Sequence, residues 1–226
     1  MVSAAERSRR LGWCFIAPLA IVAWCLTGPA RGAGEASGAE GQTALPADES
    51  RQGFVPIFDG RTLDGWQGAV DGYEARDGVL VCKETCGDRL FTAKEFGDFV
   101  FRFEFKLEPG GNNGISVRGY ESQILDDDSP RYRGLQPYSY HGSIIRCRVA
   151  AKRGHLRPAG QWNTQEIECR GSRWKITLNG AVIVDVDLAT VPGDEAATLA
   201  KRAKGPLGLL GHHSRVEFRN LRVKQL

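Results

Sequence analysis

The sequence predicts an all-β fold, an antiparallel two-sheet sandwich of jelly-roll type. Three observations predict it. Short apolar stretches recur between turn signals with almost no helical period among them. One stretch, DFVFRFEFKL, alternates strictly, so Phe99, Phe101, Phe103 and Phe105 share one face while Val100, Arg102, Glu104 and Lys106 share the other. The composition agrees, with 28 glycines for tight turns, a single methionine, and phenylalanine and tryptophan set among valine and isoleucine. A chain of 226 residues has room for one folded domain and its appendages.

The folded body starts near Phe54 with VPIF, followed by the DGW and ARDG turns and by VLVC. DFVFRFEFKL then supplies a core face of four phenylalanines. GISVR and YESQILD follow as a candidate pair, and SIIRCRV reads as a further strand. QEIECR, a turn at Gly171 and Ser172, and RWKITL come next; Asn179 and Gly180 join RWKITL to AVIVDVDL as a hairpin with the usual type I′ pair. GPLGLLGHH and RVEFRNLRVKQL finish the chain. The only helix-tolerant window is the short DEAATLAKRA.

The N-terminus reads differently. Arg7, Arg9 and Arg10 precede an apolar run, Leu11–Leu26, that is short for a membrane span and holds Pro18. Residues 1–32 are therefore expected to be a signal peptide, with an uncleaved anchor as the alternative, and the mature chain to be periplasmic or extracellular without a membrane span. Loss of four basic residues and one acidic residue with the signal brings the formal charge from +3 to 0, which removes the case for a nucleic-acid partner. Residues 33–52, rich in glycine, alanine, serine and acid, are expected to form a flexible tether, leaving 53–226 as the domain. In an exported chain the four remaining cysteines, Cys82, Cys86, Cys147 and Cys169, suit two disulfides with three possible connectivities.

Site chemistry is sought on the polar face of one sheet. Ile115 and Val117 alternate with Ser116 and Arg118, and Glu121 and Gln123 share a side of the next strand. Paired, these strands would bring Arg118, Glu121 and Gln123 to one concave surface, with Asp126 at its rim and Asn112 and Asn113 in the preceding turn. The same residues also suit a solvated face with an ordinary surface ion pair. Of the four histidines, His155 reads as a loop residue, which leaves His141, His212 and His213 as groups able to move a proton near neutrality. Trp66 and Trp162 stand near polar turns where rings can stack on sugars or be buried. Phosphate loops, H-E-x-x-H and G-x-S-x-G are absent, which removes nucleotide hydrolysis by known loops, zincin proteolysis and serine esterase chemistry.

Seven pieces occur in order along the domain: PIFDGRTLDGW, GDFVFRFEFKL, GNNGISVRG with YESQILDD, HGSI, AKRGHLRPAGQWN, ITLNG and GPLGLLGHHSRVEFRNLRV. Through them the body from about Phe54 to Leu226 resembles the 3-keto-disaccharide hydrolase (DUF1080) family. The resemblance implies a concanavalin A-like jelly roll and cleavage of small carbohydrate substrates, glycosides whose pyranose carries a ketone at C3. It points to His212 or His141 as base and to Arg118, Glu121 and Gln123 as sugar clamps or stabilisers, surrounded by Asn113, Asp126, Trp162 and Asn163. A divalent ion held by Glu121, Asp126 and a histidine could replace a side-chain stabiliser, although no metal spacing is specific. Two positions depart from the family's pattern. Ile145 stands where relatives commonly carry tyrosine, and Leu210 where they commonly carry glutamine. Those departures keep open a non-catalytic carbohydrate-binding module on the same fold, and the tether alone suggests a cell-envelope partner protein.

Overall fold

The computed structural model describes residues 45–226. The expected signal peptide and most of the expected tether lie outside the described residues. A short helix, α1 (Ala47–Arg51), precedes β1 (Val55–Pro56), β2 (Trp66–Gly68), β3 (Tyr73–Arg76), β4 (Val79–Cys82) and β5 (Arg89–Phe96). The strands β6 (Phe99–Leu107), β7 (Asn112–Val117), β8 (Tyr120–Leu125), β9 (Trp162–Arg170), β10 (Arg173–Leu178) and β11 (Ala181–Asp187) follow. Helix α2 (Asp194–Ala200), in the one helix-tolerant window, leads to β12 (Gly205–Gly211) and β13 (Val216–Gln225).

The strands form two antiparallel sheets, the jelly-roll sandwich that the alternation predicts. The larger has the order β11-β10-β9-β6-β13-β4-β3, with β1 on β13, and the smaller the order β2-β5-β12-β7-β8. The core lies between them. The four phenylalanines of β6 are almost fully buried there, packed against Phe218, Ile167, Leu209 and Ile115. Gathering that much apolar surface from distant strands is the main driving force for closing the sandwich. Asn179 and Gly180 both have positive φ, as the type I′ hairpin of β10 and β11 requires. A register shift in β13 between Arg219 and Arg222 lets Phe218, Leu221 and Val223 all face inward.

Three expectations need correction. The end of the expected tether is ordered, because the carboxylate of Glu49 on α1 accepts hydrogen bonds from Arg102 at 3.0 Å and from Arg222 Nη2 at 2.8 Å. Segment 143–149, SIIRCRV, is not a ladder strand; it touches β8 through one bridge, Ser122 to Ile144, and then turns back on itself. Finally, all four cysteines are free and buried. Burial pushes the Cys82 thiol up to about 12 and the Cys147 thiol up to about 11. No helix of the described residues is long and apolar enough to cross a membrane.

Candidate active site

The outer face of the smaller sheet is fixed by register. Ser116 stands opposite Glu121, and Gly114 opposite Gln123 on one side and Leu210 on the other. Ile115, Val117, Leu207 and Leu209 point into the core, so Ser116, Glu121, Gln123 and Leu210 point away from it. His212 follows the last residue of β12 and meets Glu121 across the sheet, with Nε2 3.0 Å from Oε1. Its side chain is 38% exposed and that of Glu121 20% exposed, so the pair is open to solvent on a fixed floor. With its amide oriented to satisfy both ends, Gln123 donates to the Asn113 carbonyl at 3.0 Å and to Glu121 Oε1 at 3.1 Å. A carboxylate that accepts from His212 Nε2 holds the tautomer in which Nδ1 carries the free lone pair.

The other candidates lie elsewhere. Arg118 is not on the strand's outer face: with φ at 50° it forms the β7–β8 turn with Gly119, and there the alternation ends. Its guanidinium is 1% exposed and donates to the carbonyls of Gly171, Arg202 and Gly97 and to Asp98. It is a structural clasp rather than a sugar clamp. His141 is 3% exposed and stacks on Phe105 inside the sandwich. Its Nδ1 accepts from the Leu125 N–H at 3.3 Å and its Nε2 faces Gln165 Oε1 at 3.0 Å, so neither nitrogen is free to serve as a base. Burial brings its pKa down to about 4.

Asn113 faces inward with Ile115; Asn112, one residue earlier, shares the outer face and stands opposite Leu125. Asp126 accepts from the Gly110 N–H at 2.7 Å and serves the turn before β7. Trp162 belongs to the larger sheet, where Arg219 and Lys106 stand over its ring at 4.1 and 5.0 Å. Asn163 is buried beneath that sheet's end and accepts from the Arg157 N–H and from Asn179. Trp66 is buried, its indole donating to the Ile57 carbonyl. Glu121 and His212 are thus together, but Asp126 is spent on the turn, and among the described residues no three His, Cys, Asp or Glu form a metal-holding group. Sequence reasoning missed Ser116 as a member of this face, although the alternation already placed it opposite to Ile115, and put Asn112 in the preceding turn, whereas it opens β7.

Both departures from the family's pattern flank Glu121. The Ile145 N–H donates to the Glu121 carbonyl at 3.2 Å, and Leu210 lies beside Gly114, over which the Glu121 side chain runs. A cavity of about 430 Å³ opens elsewhere, lined by Asp127, Asp128, Lys152, Arg153, His155 and the buried His141. The candidate site rests on the hydrogen-bonded polar groups of the open sheet face, not on that cavity, whose Arg153 is engaged with Asp127.

The comparisons with known proteins agree with the fold. The family model for the 3-keto-alpha-glucoside-1,2-lyase-like domain matches residues 53–224. The chain belongs to that family. A 3-keto-disaccharide hydrolase of Bacteroides thetaiotaomicron is 24% identical over 236 aligned residues, covering 80% of this chain and 81% of that protein. Two crystal structures from Parabacteroides distasonis, each assigned provisionally to the glycosyl hydrolases, share the fold. One has a TM-score of 0.68 at 24% identity and covers 76% of this chain and 99% of the other. The second has a TM-score of 0.69 at 21% identity, with coverage of 81% and 99%. Within this 3-keto-alpha-glucoside-1,2-lyase-like domain, Glu121, Gln123 and His212 are the sequence-predicted residues that the fold brings to one face.

Proposed function

We propose that this chain is an exported enzyme that cleaves glycosides bearing a ketone at C3 of the pyranose, by elimination followed by hydration. The observation that carries the reading is the Glu121–His212 pair on an open sheet face of a domain of this family. A C3 ketone acidifies the C2 proton. His212 Nδ1 takes that proton, and the C2–H electron pair passes into the enolate. Glu121 keeps the imidazole in the productive tautomer and balances its positive charge once protonated. The enolate then re-forms the ketone as the C1–O bond breaks, and the aglycone oxygen leaves with a proton returned by the imidazolium. Addition of water to the enone, oxygen to C1 and hydrogen to C2, completes a net hydrolysis. Ser116 and Gln123 hold sugar hydroxyls on the floor. Export rests on the arginine-led apolar run within residues 1–32.

The test uses full-length protein expressed with its N-terminus and recovered from the secreted fraction, where intact mass should show a chain starting at Ala33. Incubated with a 3-keto-glucoside in deuterated water, it should release the aglycone and place deuterium at C2. The variant His212→Ala should lose about 100-fold or more in rate. No release from several 3-keto-glycosides, together with binding of ordinary glycans, would replace the enzyme by a lectin-like module on the same face.

A further inference from the structure

We infer that Phe91 and the apolar floor beside it form the aglycone subsite and select glycosides with an aromatic aglycone. This rests on the reading of Glu121 and His212 as the reacting pair. Four register pairs set one row across the outer face of the smaller sheet: Gln67 with Phe91, Phe91 with Gly208, Gly208 with Ser116, and Ser116 with Glu121. Three strand spacings separate Phe91 from Glu121, on the order of 14 Å between their Cα atoms.

The ring closes part of that gap. A Cβ at Gly208 would stand 2.5 Å from Phe91 Cδ1 and 2.7 Å from Cε1, so the phenyl ring lies across Gly208 toward Ser116. It is half-buried and so partly open to solvent. In the neighbouring row, the buried Leu210 packs beneath this surface between Gly114 and Arg89. The face is therefore divided. Glu121, Gln123, Ser116 and His212 gather the hydrogen-bonding groups on one side, which suits a hydroxylated sugar ring. Phe91 and Gly208 offer the other side an aromatic ring over bare backbone, on which an aryl ring stacks, with Gln67 and Arg89 at its far rim.

The experiment compares the full-length protein with Phe91→Ala on phenyl and methyl 3-keto-glucosides and on a 3-keto-disaccharide. Phe91 faces away from the core, so Phe91→Ala is expected to fold. The subsite requires a loss of roughly tenfold in kcat/KM on the phenyl glycoside, little change on the methyl glycoside, and recovery with Phe91→Trp. An equal loss on phenyl and methyl substrates, no loss on phenyl, or a larger loss on the disaccharide than on the phenyl glycoside would overturn it. Binding of unoxidised phenyl glucoside, followed by ligand NMR, separates this inference from the reaction itself. If no keto-glycoside is turned over, the proposed reaction fails, yet weakening of phenyl glucoside binding in Phe91→Ala still upholds the subsite. Absent binding, or binding equal in the two proteins, overturns it.

Discussion

A Cβ at Gly114 would stand 2.4 Å from Glu121 Oε1 and 2.7 Å from its Cγ and Cδ, so the carboxylate that meets His212 occupies the place of a missing side chain. Alanine there should fold, since the obstacle is a movable side chain on the sheet's outer face, but should push Glu121 off His212. The expected outcome for Gly114→Ala is a fall of about 100-fold in kcat/KM with thermal stability nearly unchanged; undiminished turnover would show that the Glu121–His212 bond is dispensable. His141 makes the opposite case, a histidine whose role is packing. Burial holds its pKa near 4 in the folded protein against 6.5 when exposed. Because the folded value is the lower one, the unfolded chain takes up the proton first as pH falls. Its contribution is present in full above pH 6.5 and is lost as pH falls from 6.5 toward 4, by roughly 3 kcal/mol. Urea midpoints at pH 7 and pH 4 should therefore fall further in the wild type than in His141→Asn, whatever the variant's starting stability. Equal falls would show that His141 is not the group that titrates.

At the scale of elements, what could be read in the sequence is what depends on local alternation. Strand β6 declares its core face through four phenylalanines at every second position, and the β10–β11 hairpin declares its turn through Asn179 and Gly180. That Glu121 and Gln123 share one face was legible for the same reason, since both lie inside β8. Where a strand stops, the rule stops with it. Arg118 would continue the outer face if β7 went on, but its positive φ turns the side chain under the sheet edge. Asn112 and Asn113 differ only in which face they take, and that depends on where β7 begins to pair. His212 is placed by cross-strand register rather than by any local pattern. Segment 143–149 has the apolar residues of a strand, yet Ser143 is drawn into hydrogen bonds with Pro137 and Ala151, and the ladder does not extend. The order of α1 was hidden for another reason, because it depends on partners distant in sequence. Burial alone would raise the Glu49 pKa, but the guanidiniums of Arg222 and Arg102 outweigh it and hold the carboxyl below its usual range. Arg102 in turn reaches Glu166 at 2.6 Å and lies over the Phe54 ring.

For the whole molecule, the two sheets need a tie at the end remote from His212, because β7 runs from the site's edge at Asn112 to the turn at Arg118, about 20 Å away. Arg118 provides it. Nη1 donates to the Gly171 carbonyl at 2.7 Å and the Arg202 carbonyl at 3.0 Å, and Nη2 to the Gly97 carbonyl at 2.5 Å and Asp98 Oδ1 at 3.0 Å. Gly171 joins two strands of the larger sheet, Arg202 precedes β12 of the smaller, and Gly97 and Asp98 link β5 of the smaller to β6 of the larger. One planar cation thus gathers turns from both sheets, and Asp98 Oδ1 adds a bond from the Gly171 N–H at 2.8 Å. Lysine keeps the charge but concentrates it in a compact ammonium that cannot span these acceptors. Breaking such a buried, hydrogen-bonded cation is worth about 3 kcal/mol, which lowers Tm by about 10 °C in a domain of this size. Arg118→Lys should therefore melt well below the wild type by calorimetry, yet retain its KM for a 3-keto-glucoside when assayed at a temperature where it is folded. A raised KM with an unchanged Tm would instead make Arg118 a sugar clamp, and would require the β7–β8 turn to open toward the outer face of the smaller sheet.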